Sequence, residues 1–169
     1  MSTTARRRRP QPGLARRPAS LAPPWLRRAT LALSAAGAGV SIYLTITHYT
    51  TSVTLTCPAS GIVNCEKVTT SPQSMLFGTL PLAVLGLAYF AVMVALTTPR
   101  AWRSPSLRWA RAGTLAAGVA FVLYLVYTEL FTLDAICLWC TSIHVITIAL
   151  FILVAPTVTL SGRTARARP

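Results

Sequence analysis

The stretch that decides the fold is Cys137-Leu138-Trp139-Cys140, which runs without a break into Thr141-Ser142-Ile143-His144-Val145-Ile146-Thr147-Ile148-Ala149-Leu150 and on to Leu160. Two cysteines three residues apart stand where a hydrophobic helix should begin. At that spacing they share one helical face, and the free N–H groups of a helix start favour thiolate over thiol. Ordinary packing cysteines are not expected at the rim of a membrane span, so the pattern points to redox chemistry there.

Composition agrees with a membrane setting. Of 169 residues, 53% are hydrophobic and only 11% charged, far below the quarter of a soluble domain. Sixteen basic residues face three acids, for a net charge of +13. Eight of the arginines (Arg6, Arg7, Arg8, Arg9, Arg16, Arg17, Arg27 and Arg28) precede the first apolar run. A basic tail can bind nucleic acid, but beside a membrane span it reads as a cytoplasmic anchor on anionic lipid. No nucleic-acid partner is expected.

Outward from the cysteine pair, the chain divides into four apolar runs. Residues 1–28, rich in Arg, Pro and Ala, are expected to be a disordered basic cytoplasmic tail. Ala29–Tyr49 is the first span, long enough for a bilayer core of roughly 30 Å at about 1.5 Å per residue. Residues 50–74 form a polar loop carrying Cys57 and Cys65, with a short helical turn near 63–68. Met75–Thr98 is the second span, with Pro81 inside it as a kink. Residues 99–111 are a basic connector with Arg100, Arg103, Arg108 and Arg111; Trp102 and Trp109 suit the interface. Ala112 to about Leu133 is the third span, with Glu129 near its end. The fourth follows Cys137, and residues 161–169 form a second basic tail. The expected fold is an all-α integral membrane protein, a four-transmembrane-helix bundle over residues 29–160 with an extracytoplasmic loop between spans 1 and 2. The arginines in both termini and the 99–111 connector put these segments in the cytoplasm and both cysteine pairs on the outer face.

On that face disulfides persist. Cys137 and Cys140 would close a small, strained ring that exchanges readily, and the flexible loop would swing Cys57 or Cys65 onto it. Two static disulfides, or one zinc site of four thiolates, are the alternatives. Zinc pairs are usually about two to four residues apart, which the seven residues between Cys57 and Cys65 fit poorly.

With these features in hand, the chain resembles the vitamin K epoxide reductase family over residues 29–155. The resemblance rests on Cys57-x7-Cys65, Ser71 six residues after the second cysteine, Phe77-Gly78 opening span two, and Cys137-x2-Cys140. The order of the pairs separates it from the DsbB type of thiol oxidase, which carries its C-x-x-C in the first outer loop. The resemblance implies that Cys57 meets the thiols of a partner, Cys65 shuttles electrons to Cys137, and Cys140 faces a quinone. Ser71 matches a family Ser/Thr that supports the loop and the thiols, with a helix cap after Thr70 as its local alternative. His144, four residues after Cys140, falls where vertebrate enzymes carry a tyrosine bonding a quinone oxygen; a helix–helix hydrogen bond is its other reading. Ser74 falls where they carry an asparagine for the other oxygen, and Phe77 packs on the quinone ring or fills the bundle. Glu129 either relays protons or reaches the headgroups, and His48 is interfacial.

The implied function is a quinone-dependent thiol-disulfide oxidoreductase of a bacterial inner (plasma) membrane. It would reoxidise a separate DsbA-like, thioredoxin-fold partner and reduce ubiquinone or menaquinone, with no metal. The alternatives are vitamin K quinone or epoxide reduction through the same relay, and a non-catalytic membrane protein with structural disulfides.

Overall fold

Pro24 opens the first long helix. Its ring fixes φ near the helical value, and its missing N–H would have had no partner in the first turn anyway. The computed structural model describes residues 22–50, 55–57 and 60–166, with side chains as far as Val158. Helix α1 spans Pro24–Tyr49 and α2 is the single turn and a half Cys65–Thr69. Strands β1 (Met75–Leu76) and β2 (Leu80–Pro81) make a small antiparallel hairpin. Helices α3 (Leu82–Thr97), α4 (Ser106–Phe131) and α5 (Leu138–Arg166) complete the chain. The four long helices form a bundle in which α1 packs most extensively on α3, both α1 and α4 pack on α5, and α3 and α4 make a smaller contact. Three of them, α1, α4 and Leu138–Val158 of α5, are long and apolar enough to cross a membrane.

Small residues set how closely α1 and α3 approach. The buried face of α1 is Leu26, Thr30, Ser34, Gly37, Ser41 and Leu44, spaced by three or four residues. Two of the three hydroxyls on this face are satisfied locally: Thr30 donates to the Leu26 carbonyl at 2.9 Å and Ser34 to the Thr30 carbonyl at 2.8 Å, while the Ser41 hydroxyl is buried without a partner. Its side chains are small, and the stripe behaves as a shallow groove of the small-xxx-small kind. Phe90 of α3 fills it, and a Cβ at Gly37 would strike the Phe90 ring. Phe90, Met93, Leu115, Leu150 and Val154 make the main core.

Several element boundaries differ from those read in the sequence, each for a local reason. Residues 24–28, expected to be part of a disordered tail, are helical because Pro24 starts α1 five residues before Ala29; residues 1–21 lie outside the described residues. Pro81 does not kink a helix. It precedes α3, which therefore has only 16 residues, and Met75–Pro81 turn back on themselves instead. The turn has Phe77 at φ 53° and Gly78 at φ 70°, with Thr79 N–H donating to the Leu76 carbonyl at 3.2 Å. Positive φ at both central residues is the hairpin-type turn that matches strand twist.

Helix α4 begins at Ser106, six residues before the expected start, so Arg108 and Arg111 belong to a helix and not to a connector. Arg111 is 2% exposed. Its Nε donates to the Leu96 carbonyl at 3.0 Å, Nη2 donates to the Ala101 carbonyl at 3.3 Å, and the guanidinium lies 3.7 Å over the Trp102 ring. Through Leu96, in the last turn of α3, the cation meets the negative end of that helix. Trp109 is exposed, with the Arg108 guanidinium 5.3 Å from its ring. At the other end α5 continues to Arg166, so most of the expected second tail is helical, with Pro156 inside the helix.

The close contact at Gly37 gives a direct test. Gly37→Val forces a branched side chain into Phe90 and is expected to lower stability by about 1–3 kcal/mol. Thermal unfolding in detergent measures this, and Gly39→Val, where a Cβ meets nothing within 4 Å, is the control expected to unfold near wild type.

Candidate active site

Cys65 is the first residue of α2, and the turn that carries it is fixed before any cysteine chemistry is considered. The Asn64 side chain caps α2 by accepting a hydrogen bond from the Lys67 N–H at 2.9 Å. On the backbone, Asn64 N–H donates to the Ile136 carbonyl at 3.1 Å and Ile136 N–H donates to the Ile62 carbonyl at 2.9 Å. These bonds make a one-step parallel bridge between Val63 and Ile136. The bridge lies two residues before Cys65 and one before Cys137, and the two cysteines share one buried cluster with Val68 and Ala135. Cys65 is 1% exposed and Cys137 fully buried.

Cys65 is joined to Cys57 by a disulfide, with Cα atoms 6.1 Å apart. Cys57 is half-buried, so it is the more reachable end of the bond. Its neighbour Thr56 is held from both sides of the backbone. Trp139 Nε1 donates to the Thr56 carbonyl at 3.0 Å, and Thr56 N–H donates to the Tyr43 hydroxyl at 3.3 Å. The Tyr43 and Trp139 rings meet at 4.8 Å. Two anchors, at Thr56 and at Asn64, hold the disulfide beside the C-x-x-C.

Cys137 stands immediately before α5 and Cys140 in its first turn. Both are free thiols, not the closed ring expected from their spacing. Cys140 N–H points at Cys137 Sγ at 3.3 Å, and the Cys137 carbonyl accepts from Thr141 N–H at 2.8 Å. The Cys137 thiol is pulled down to about 7, chiefly by hydrogen bonding from the Cys140 thiol and further by the N–H groups of Cys140 and Trp139, against the opposing effect of burial. The start of α5 thus favours thiolate at Cys137.

Below Cys140 lies a cavity of about 1180 Å³ between the four long helices. On α5 it is lined by Cys140, His144 and Thr147, at i, i+4 and i+7 on one face. His144 is 4% exposed, and among the described residues no protein group hydrogen-bonds its ring, so the helix–helix bond weighed for it is not made. Glu129 of α4 is 6% exposed and lines the same cavity, next to both thiols, which rules out the headgroup reading. His48 is exposed at the cavity rim, edge-on to Tyr49.

The serines lie at the cavity with their hydroxyls already engaged. Ser71 is buried and donates to the Val68 carbonyl at 2.8 Å, closing the end of α2, and its side chain does not cap the 3-10 turn Pro72–Ser74 that follows. Ser74 donates to the Ser71 carbonyl at 2.7 Å. Phe77 does not join them: at the hairpin tip it is 91% exposed, outside the cavity and outside the bundle core. Tyr43, Trp139, Tyr89 and Thr147 were not singled out in the sequence. Only Thr147 carried a signal there, its spacing of seven from Cys140.

Among the described residues no three His, Cys, Asp or Glu side chains converge on a possible metal position, and the Cys57–Cys65 bond removes two of the four thiolates a zinc site would need. A helical membrane protein with one oxidised and one reduced cysteine pair in contact is built as a thiol-disulfide oxidoreductase. The chain belongs to the vitamin K epoxide reductase family, whose model matches residues 28–155. No curated protein matches it.

The electrostatics of the pair are open to titration. With the Cys57–Cys65 bond intact, the rate of Cys137 modification by a small thiol reagent is expected to rise with pH around a midpoint near 7. In Cys140→Ala the main hydrogen-bonding partner is gone, and the midpoint should move up toward the ordinary value of about 8.5.

Proposed function

We propose that this protein is a four-span enzyme of a bacterial plasma membrane that oxidises exported thiols and passes their electrons to a quinone. The 16 residues of α3 rise only about 24 Å, so the hairpin Met75–Pro81 completes the second span. Non-helical backbone at membrane depth is tolerated where it borders a cavity, and Met75 and Pro81 do so. The arginine-rich termini and the basic segment between α3 and α4 support both ends in the cytoplasm and both cysteine pairs on the outer face.

The observation that carries this reading is the continuity of the site: an outward-facing Cys57, a buried Cys65–Cys137 contact region and Cys140 at the head of an apolar cavity. A separate thioredoxin-fold, DsbA-like protein would deliver the electrons. Its thiolate attacks Cys57 Sγ, the Cys65 thiolate leaves, and the partner's second thiolate resolves the mixed disulfide. Cys65 then attacks Cys137 Sγ of an oxidised Cys137–Cys140 pair and Cys140 leaves as thiolate. Attack of Cys57 on Cys65 restores the loop disulfide and frees Cys137. The pair now holds the two electrons, which is the state described above.

A quinone bound in the cavity supplies an acceptor for two electrons and two protons. The cavity fits such a group: its walls are largely apolar and the unbonded His144 ring offers a hydrogen-bond donor one turn below Cys140. In this role His144 orients the acceptor, Cys140 is the sulfur that meets it, and Glu129 lies close enough to hold a proton released by the thiols. Ser71 and Ser74 support the loop; ubiquinone and menaquinone are both within reach of the site's chemistry.

An assay of quinone reduction by a reduced thioredoxin-fold donor, run on the purified chain and its four single-cysteine variants, tests the reading. Cys140→Ala is expected to abolish turnover while membrane insertion survives, and turnover in that variant would sink the relay. His144→Phe is expected to raise the KM for quinone by about tenfold, the effect of one lost hydrogen bond, and leave the KM for the thiol donor unchanged.

A further inference from the structure

Among the described residues lining the cavity, one buried polar side-chain atom lacks a hydrogen-bond partner, and the relay does not use it. The Tyr89 hydroxyl, on α3, is buried without a hydrogen-bond partner, and Tyr89 lines the cavity. The Thr147 hydroxyl lies beside it but outside hydrogen-bonding geometry. Thr147 is three residues beyond His144 on the same face of α5, so Tyr89 stands in the cavity wall about one turn deeper than the histidine.

Packing fixes the Tyr89 ring rather than leaving it to drift. It meets Phe90 edge-on at 5.1 Å and 79°. From the side of α4, Gly118 leaves the space the ring occupies: a Cβ there would strike the Tyr89 hydroxyl and ring. A phenol clamped between a glycine and an aromatic, with its O–H unbonded, is poised for a ligand that brings an acceptor. Ser74 cannot offer an equivalent donor, because its hydroxyl is already given to the Ser71 carbonyl.

We propose that Tyr89 is the second polar anchor of the quinone site, its phenol O–H donating to one ring carbonyl while His144 takes the other. Two donors from two helices then hold the opposed carbonyls of a quinone with its ring edge toward Cys140. The class of ligand is set by this pairing: a flat, largely apolar ring with acceptors on opposite sides. The inference rests on the quinone reading above and adds to it the residue that fixes the ring's orientation.

Tyr89→Phe removes only the hydroxyl, and a short-chain quinone such as menadione serves as the probe. Thermal unfolding of the purified full chain is measured with and without menadione, beside the KM values for quinone and thiol donor. Without menadione the variant is expected to be at least as stable as wild type, since the lost group had no partner. The menadione-induced rise in melting temperature should shrink sharply, and the quinone KM should increase about tenfold with the thiol KM unchanged. A variant that keeps the wild-type menadione shift and quinone KM overturns the role of Tyr89 alone. A variant less stable than wild type without menadione makes the hydroxyl structural and also overturns it. If wild type itself is not stabilised by menadione and reduces no quinone, the quinone reading falls as well.

Discussion

Two backbone hydrogen bonds at Ile136, one accepted from Asn64 and one donated to Ile62, hold the redox site together. Each contributes only about 1 kcal/mol net, yet they fix register as well as proximity. Side chains alternate along an extended backbone, so a slip of one residue would turn Cys65 or Cys137 away from the shared cluster. The bridge also brings the sulfur that opens α2 to the sulfur that precedes α5. Residues on each side of it carry the rest: Asn64 caps the turn that starts with Cys65, and Trp139, two residues after Cys137, reaches back to Thr56 beside Cys57.

That arrangement makes the two ends of the loop disulfide unequal. Cys65 is enclosed in the cluster with Cys137, while Cys57 is only partly buried. An incoming thiolate must approach in line with the sulfur–sulfur bond, so accessibility alone favours Cys57 as the point of entry. On the helix pair the inequality is electrostatic. Cys137 receives N–H groups from the start of α5 and the Cys140 thiol, whereas Cys140 turns toward the apolar cavity.

The bundle distributes its packing to leave room below that pair. Gly37 and the buried hydroxyl residues of α1 let α3 come close on one side, seating Phe90. On the other side α3 and α4 make a smaller contact, at Tyr89 and Gly118, and the cavity opens between the helices. Gly118 serves the cavity and not the closeness of the helices, since the space it leaves is taken by the Tyr89 ring. Arg111 ties the far ends of α3 and α4 together, so their loose contact near the cavity does not cost the pair its alignment.

The apolar runs, the C-x-x-C before the last of them and the spacing of His144 and Thr147 from Cys140 were all legible in the sequence, because helical periodicity and segment length depend on residues close in the chain. The same is true of the arginine pattern. What proline does at position 81 was not legible, because the choice between a kink and a helix start is settled by whether the preceding residues have another structure to adopt, and Met75–Pro81 do. In the sequence Arg111 reads as part of a basic connector, because only the fold brings the end of α3 and Trp102 to it. The places of Phe77 and Glu129 depend on the fold for the same reason: Phe77 sits at the tip of a hairpin and is exposed, while the choice for Glu129 between the headgroups and the thiols is settled by the packing of α4, which buries it beside the cysteines. The sequence by itself determined the helices, the two cysteine pairs and their chemistry. Only the tertiary structure decided which sulfurs touch and which polar groups line the cavity, because those depend on contacts between segments far apart in the chain.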